Sequence, residues 1–189
     1  KPTAFRVEGD FSSAAFMLVA GALCGKVEVE GIGLPSLQGD SAVVEILKRM
    51  GANISCSEGS VISSRSEMNG TEIDARQIPD LVPVLAVAAA RAEGETTITG
   101  IRRLRYKESD RVATVKGMVK AMGGIAMVSE DSMTIKGVRA TRGSVLDPSS
   151  DHRIAMACSI LAMASEGETI IKNAECVSKS YPSFFEDLS

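Results

Sequence analysis

A chain of 189 residues is long enough to bury a core of its own and sets the scale at one domain, two at most. With 44% hydrophobic residues, only 4% aromatic and no Trp, its interior is built from Ala, Val, Ile, Leu and Met, which excludes a disordered polypeptide. The formal net charge of -3 excludes a basic nucleic-acid groove or membrane surface as the main feature and leaves room for a small anion held by a local patch.

The chain opens "KPTAFRVEGD" without Met, the start expected of a segment of a longer or engineered polypeptide, and enters a strand almost at once. Asp10 then caps an apolar helix that stops at Gly25, and "KVEVEG" follows as a strand. A polar turn at Gln38 to Ser41 leads into an amphipathic helix whose inner face is Val43, Ile46, Leu47 and Met50. "NISC" and "VISS" pair as strands.

The same succession then repeats. Asp80 precedes a helix over Leu81 to Ala92 that is apolar nearly all round and therefore buried on every side, with Pro83 in its first turn where a missing N–H costs nothing. Gly94 ends the turn, "ETTITG" is the strand, and "RYKESDR" is a turn with five charges in seven positions. Asp110 caps the next helix, with Val112, Val115, Val119 and Met122 on one face, and "IAMV" pairs with "MTIK" around Glu130 and Asp131. A third round brings Asp151, an apolar helix from His152 to Ala164, Gly167, the strand "ETIIKN", a polar turn at Ser178 to Tyr181, and the truncated copy "SKSYPSFFEDL".

The anchoring aspartates Asp10, Asp80 and Asp151 recur at about seventy residues, and Asp40 and Asp110 keep the same step. The fold class is therefore α/β, a βαβαββ unit repeated over residues 4–70, 71–140 and 141–189, the last incomplete. Helices so apolar are expected to lie side by side inside, with the sheets outside. Their N-termini then emerge on one face, each with unpaired N–H groups and a positive dipole end, and that face attracts anions.

Cys24, Cys56, Cys158 and Cys176 form no C-x-x-C pair, and three of them have apolar or strand-like neighbours, the pattern of reduced core cysteines in a cytoplasmic protein. The apolar stretches Ala14 to Leu23 and Ile154 to Ala164 fall short of the roughly 18 residues a membrane span needs.

Taken together, "VEGDFSSAAF", "LQGDS", "IPD" before an Ala/Val helix, "RYKESDR", "SSDHRIAM" and "SKSYPSFFEDL" resemble, in order and over essentially the whole chain, the C-terminal half of the 5-enolpyruvylshikimate-3-phosphate synthase family. Any one of these motifs is weak; six in register with an internal repeat are specific. The resemblance implies one lobe of a two-lobe enolpyruvyl transferase, with buried parallel helices surrounded by sheets and the active site between the lobes. A short segment from the family's N-terminus would complete the third unit. It implies transfer of the enolpyruvyl group of phosphoenolpyruvate to the 5-hydroxyl of shikimate 3-phosphate, with release of phosphate, through a tetrahedral intermediate. Neither metal nor organic cofactor takes part, and the protein is expected to be a cytoplasmic monomer that binds no nucleic acid or membrane.

Each site residue has a local reading beside the one the resemblance implies. By position Asp80 is a helix N-cap; by resemblance it is the general base toward the 5-hydroxyl. Glu108 alone is a surface glutamate, and by resemblance it moves a proton at the methylene carbon of phosphoenolpyruvate. Lys107, Arg111, Arg153 and Lys179 are solvated charges taken singly, whereas the family places cations there that hold the carboxylate and phosphates of the substrates. His152 is a cap or hydrogen-bonder by itself and a positioning or proton-relay group by resemblance; Asp151 is its cap or an orienting partner for Arg153.

The chain departs from the pattern at Arg103-Leu104, where many bacterial members carry Asn-Trp, so Arg103 stands where an Asn would contact the shikimate phosphate. The family's Ser-Ser-Gln phosphate site, an essential Lys and further arginines belong to the other lobe. Half of the anion ligands are then missing here, and this chain alone is expected to be inactive. The competing readings are a lobe of the transferase acting on UDP-N-acetylglucosamine, whose pattern "KESDR" followed by "DHR" fits less well, and a non-enzymatic α/β repeat binding module.

Overall fold

The computed structural model describes residues 7–189; the strand expected over the opening residues, and the start of the first repeat unit, lie outside them. Helix α1 (Phe11–Cys24) begins where Asp10 accepts the backbone N–H groups of Ser12 and Ser13 at 3.2 and 3.0 Å. After it come β1 (Lys26–Glu30), a 3₁₀ turn at Gly39–Ser41, α2 (Ala42–Arg49), β2 (Asn53–Ser57) and β3 (Ser60–Ser64). The second round is β4 (Glu72–Asp74), a 3₁₀ turn at Pro79–Leu81, α3 (Val82–Arg91), β5 (Glu95–Thr99), a 3₁₀ turn at Arg102–Tyr106, α4 (Arg111–Ala121), β6 (Ile125–Val128) and β7 (Ser132–Lys136). The third is β8 (Val145–Leu146), α5 (His152–Met163), β9 (Ile170–Ile171), a 3₁₀ turn at Ala174–Lys179 and α6 (Phe184–Leu188).

Three helices carry the core. Along α3 every residue from Val82 to Ala90 is buried, and α1 and α5 are almost as fully enclosed. They pack on one another, since a helix without a polar face has no stable place at a surface. Each buried Val, Leu or Ile contributes about 1.5–3 kcal/mol relative to exposure. The amphipathic helices behave as their spacing predicts. Val43, Ile46 and Leu47 of α2 with Met50 just after it, and Val112, Val115 and Val119 of α4 with Met122 just after it, all face inward.

The sheets lie outside. β1 and β2 flank β3 in an antiparallel sheet, and the second sheet runs β4, β5, β7, β6 with β4 and β5 parallel. The third sheet is smaller than "ETIIKN" suggests, because only Ile170 and Ile171 pair, in parallel, with Val145 and Leu146. No adjoining hairpin pairs with it among the described residues. Where the chain enters the second and third rounds it passes backbone to backbone against the strand segment after the helix. Gly70 donates to the Glu93 carbonyl and Gly143 to that of Glu166, both at 2.7 Å. A Cβ at Gly70 would lie 2.1 Å from the Glu95 oxygen, and one at Gly143 2.0 Å from that of Glu168, so only glycine fits.

All four cysteines are free thiols, but their expected burial holds for Cys158 alone. Cys56 shares the inward face of Ile54 and stands opposite buried Val61, yet it is exposed because β2 is the edge strand of its sheet, and Cys24 and Cys176 are half-buried. No helix among the described residues is long and apolar enough to cross a membrane.

Candidate active site

The starts of the three core helices gather on one face, and the charged turns gather with them. Asp80 shows the consequence most clearly. It sits in the 3₁₀ turn before α3, and its side chain caps nothing, which corrects the N-cap reading. The turn already closes the backbone there, so the carboxylate is free to reach outward. It lies 2.8 Å from Arg111 Nη1, 3.3 Å from Lys107 Nζ and 3.3 Å from Arg153 Nη2. Burial would raise its pKa, but Arg153, Lys107 and Arg111 outweigh burial and hold the carboxyl below its ordinary range.

Arg111, the first residue of α4, is only 1% exposed. Its Nε lies 2.8 Å from Asp151 Oδ2, one Nη2 hydrogen reaches Asp151 Oδ1 at 3.2 Å, and the other reaches Glu108 Oε2 at 2.8 Å. With the Asp80 bond, four of the five guanidinium N–H groups are engaged. Its helix starts where expected, since Asp110 accepts the backbone N–H of Ala113 at 3.0 Å.

Glu108 is partly exposed and also faces Lys179 Nζ at 3.6 Å. Burial pushes its pKa up; its own backbone N–H and Arg111 pull the other way, Asp151 opposes them, and the balance is a lowered value. Both carboxylates are therefore ionised at neutral pH.

Of the two roles expected of Asp151, the structure bears out the cap. It does cap α5, accepting the backbone N–H of Arg153 at 3.0 Å, but its charge is paired with Arg111 rather than with the Arg153 guanidinium. It is fully buried, and burial alone would raise it; hydrogen bonds and charge from Arg111, with Ser109 and the Arg153 amide, lower it instead. The two residues before it, Ser149 and Ser150, hold φ of 54° and 55°, a left-handed conformation uncommon without glycine.

His152 is 4% exposed, and its Nδ1 has no hydrogen-bond partner. Burial and the neighbouring Arg153 hold its pKa below the ordinary value, against the pull of Asp151 and Glu108, so the ring is neutral at pH 7. The site thus brings together Asp80, Glu108, Lys107, Arg111, Arg153, Lys179 and His152 of the residues singled out above. Arg103 stands apart: its guanidinium donates to the Arg76 carbonyl and forms no ion pair among the described residues.

Two contributors were not assigned from sequence. Ser109 donates to Asp151 Oδ2 at 3.0 Å. Asp40 accepts from the Ser12 hydroxyl, and burial together with nearby Asp80 raises its pKa although Ser12 and Arg153 oppose them. The repeat register, which sets Asp40 opposite Asp110, was the one available signal for the latter.

Chemically this is an anion-facing surface with two ionised carboxylates held inside it. Lys107, Arg111, Arg153 and Lys179 are set against Asp80, Glu108 and Asp151, with Asp40 beside Asp80, so the site's own carboxylates offset most of its positive charge.

A family model described as EPSP synthase (3-phosphoshikimate 1-carboxyvinyltransferase) matches residues 1–188. Among curated relatives, the 3-phosphoshikimate 1-carboxyvinyltransferase of Clostridium acetobutylicum is 45% identical over 188 residues, covering 100% of this chain and 44% of that protein. The protein of the same name from Pyrococcus abyssi is 45% identical over 184 residues, covering 97% and 44%. A solved EPSP synthase from Acinetobacter baumannii superposes with a TM-score of 0.85 at 33% identity, over 96% of this chain and 45% of that one. The enolpyruvyl transferase NikO from Streptomyces tendae shares the fold, with a TM-score of 0.77 at 21% identity over 96% of this chain and 42% of its own. The chain thus spans less than half the length of the relatives it matches.

Proposed function

The chain belongs to the EPSP synthase family, and from that premise we propose that it forms one lobe of an enzyme transferring the enolpyruvyl group of phosphoenolpyruvate to the 5-hydroxyl of shikimate 3-phosphate. The observation that carries this reading is the pair of ionised carboxylates, Asp80 and Glu108, each 2.8 Å from the same buried guanidinium within a ring of cations. Asp80 takes the proton of the attacking 5-hydroxyl. Glu108 first takes up a proton from water as the substrate anions bind beside it, gives that proton to the methylene carbon as the new C–O bond forms, and takes one back from the resulting methyl, while Asp80 passes the hydroxyl proton to the departing phosphate.

Lys107, Arg153 and Lys179 hold substrate carboxylate and phosphate groups, with the one unengaged N–H of Arg111 available to the same anions. Neutral His152, whose Nδ1 is enclosed, serves as a positioning or proton-relay group, and Arg103 serves a phosphate once it leaves the Arg76 carbonyl. No metal or organic cofactor is called on.

Cations so largely offset by their own neighbouring carboxylates cannot neutralise two multiply charged substrates, which supports the need for a second lobe that contributes further cations. On the same reading the protein works as a monomer in the cytoplasm, within aromatic amino-acid biosynthesis. Phosphate release should be measured with phosphoenolpyruvate and shikimate 3-phosphate, for this chain alone and within a two-lobe polypeptide. Turnover in the second and none in the first is expected, with tight substrate binding only when both lobes are present. Turnover by the two-lobe protein with UDP-N-acetylglucosamine in place of shikimate 3-phosphate would overturn the substrate assignment, and turnover by this chain alone would overturn the division of the site.

A further inference from the structure

We propose that Asp151 is a positioning residue, which from a fully buried place fixes the plane of the Arg111 guanidinium so that Arg111 in turn holds Asp80 and Glu108 side by side. A helix cap needs one carboxylate oxygen to accept one backbone N–H. Asp151 does much more. Oδ1 accepts from the Arg153 amide at 3.0 Å and from Arg111 Nη2 at 3.2 Å, while Oδ2 accepts from Arg111 Nε at 2.8 Å and from the Ser109 hydroxyl at 3.0 Å. Three of these four bonds point away from its own helix, toward the charged turn.

The guanidinium is rigid and planar, so a two-point hold on one edge sets the direction of every other N–H. The edges that remain face Asp80 and Glu108, both at 2.8 Å, although these residues arrive from different turns of the fold. The strained pair Ser149 and Ser150 lies immediately before Asp151, at the place where its side chain must be aimed. Asp151 touches no solvent, so its effect on any ligand passes through Arg111.

This inference rests on the proposed transferase reading, and its test is arranged to separate the two. In the two-lobe protein, Asp151→Ser and Asp151→Asn each keep an oxygen that caps α5 but break the two-point hold on Arg111. Misplacing reacting groups by about 1 Å costs about 10²-fold in rate. Both variants are therefore expected to lose kcat by about that factor, with KM for either substrate within about threefold of wild type. A kcat within about twofold of wild type in a folded variant would overturn the proposal. Should both variants fail to fold, Ser109→Ala removes one bond to Asp151 while leaving the charges in place. A loss of kcat with unchanged thermal midpoint supports the proposal, and an unchanged kcat overturns it.

A second readout needs no turnover: carboxyl ¹³C titration of Asp80 and Glu108 in the ligand-free two-lobe protein. Glu108 faces Arg111, Lys179, Asp151 and His152, and Asp80 faces Arg153, Lys107, Arg111 and Asp40. If Asp151 acts by holding Arg111, Asp151→Asn frees the guanidinium and both carboxyls titrate at higher pH. If it acts only as a nearby negative charge, its removal moves Glu108 to lower pH, which overturns the proposal. A wild-type two-lobe protein without turnover would sink the transferase reading and leave this titration to judge the positioning role by itself.

Discussion

Arg111 Nε lies 2.8 Å from Asp151 Oδ2, and the two side chains are 1% and 0% exposed. An ion pair so enclosed gains little over an apolar pair, because desolvation consumes most of its attraction, yet losing one member strands the other. Arg111→Met leaves Asp151 buried without its counter-ion and is expected to cost about 3–5 kcal/mol in urea unfolding. Adding Asp151→Asn removes the stranded charge and keeps the cap. The double variant should recover part of the loss, with a coupling of about 0.5–3 kcal/mol. Strict additivity of the two changes would show that the pair is not an energetic unit.

The same cluster sets how stability responds to acid. Asp80, Glu108 and Asp151 have lowered pKa values in the folded chain, so the unfolded state takes up protons first as pH falls, and stability is lost below about pH 4. His152 is also lowered, and its buried neutral ring works in the same direction from a higher starting point. Its contribution is complete above about 6.5 and is lost as pH drops through the folded value. A thermal midpoint followed from pH 8 to 3 should show a shallow decline beginning near 6.5 and a steep one below 4. His152→Gln should abolish the shallow phase only; persistence of that phase in the variant would place its origin elsewhere.

Two glycines make a contrasting pair. A Cβ at Gly143 would sit 2.0 Å from the Glu168 carbonyl oxygen, so Gly143→Ala must force two backbone segments apart, at a cost of about 1–3 kcal/mol. Gly117 lies exposed inside α4 with nothing within 4 Å of such a Cβ, and Gly117→Ala should stabilise by about 0.5–1 kcal/mol through helix propensity. Chemical denaturation of the two variants, read against wild type, checks both signs at once.

How much of this was legible in the chain depends on the kind of signal. The core helices were readable because "LVPVLAVAAA" and "IAMACSILA" lack a polar face, and α2 and α4 because their Val, Leu, Ile and Met recur at helical spacing. Repeat spacing foretold that the polar turns would meet. It could not foretell which charge pairs with which, since Asp80, Glu108 and Asp151 converge on Arg111 through side-chain directions fixed only by tertiary packing. Asp80 looked like a cap because it precedes a helix, and the 3₁₀ turn that relieves it of that duty leaves no separate mark in "IPDLVP". Gly70 and Gly143 were missed for a related reason: a close backbone crossing with a distant strand has no local pattern.

The division of labour proposed for the two carboxylates gives the sharpest kinetic expectation. Asp80 contacts three cations, Lys107, Arg111 and Arg153, whereas Glu108 contacts Arg111 and Lys179. Replacing either by its amide should reduce kcat in a two-lobe enzyme by about 10²–10⁴-fold, the range of a lost general acid or base. Binding should separate them. Asp80→Asn releases a negative charge from the centre of the anion-facing surface, so Lys107 and Arg153 are freed for substrate, and KM for the phosphorylated substrates should fall along with kcat. Glu108→Gln removes a charge nearer the rim, beside the exposed Lys179, where solvent screens it, and KM should change little. Steady-state kinetics of the two variants at one ionic strength decides the matter. Unchanged KM in Asp80→Asn would mean that its three cations are not the groups that receive the substrate anions.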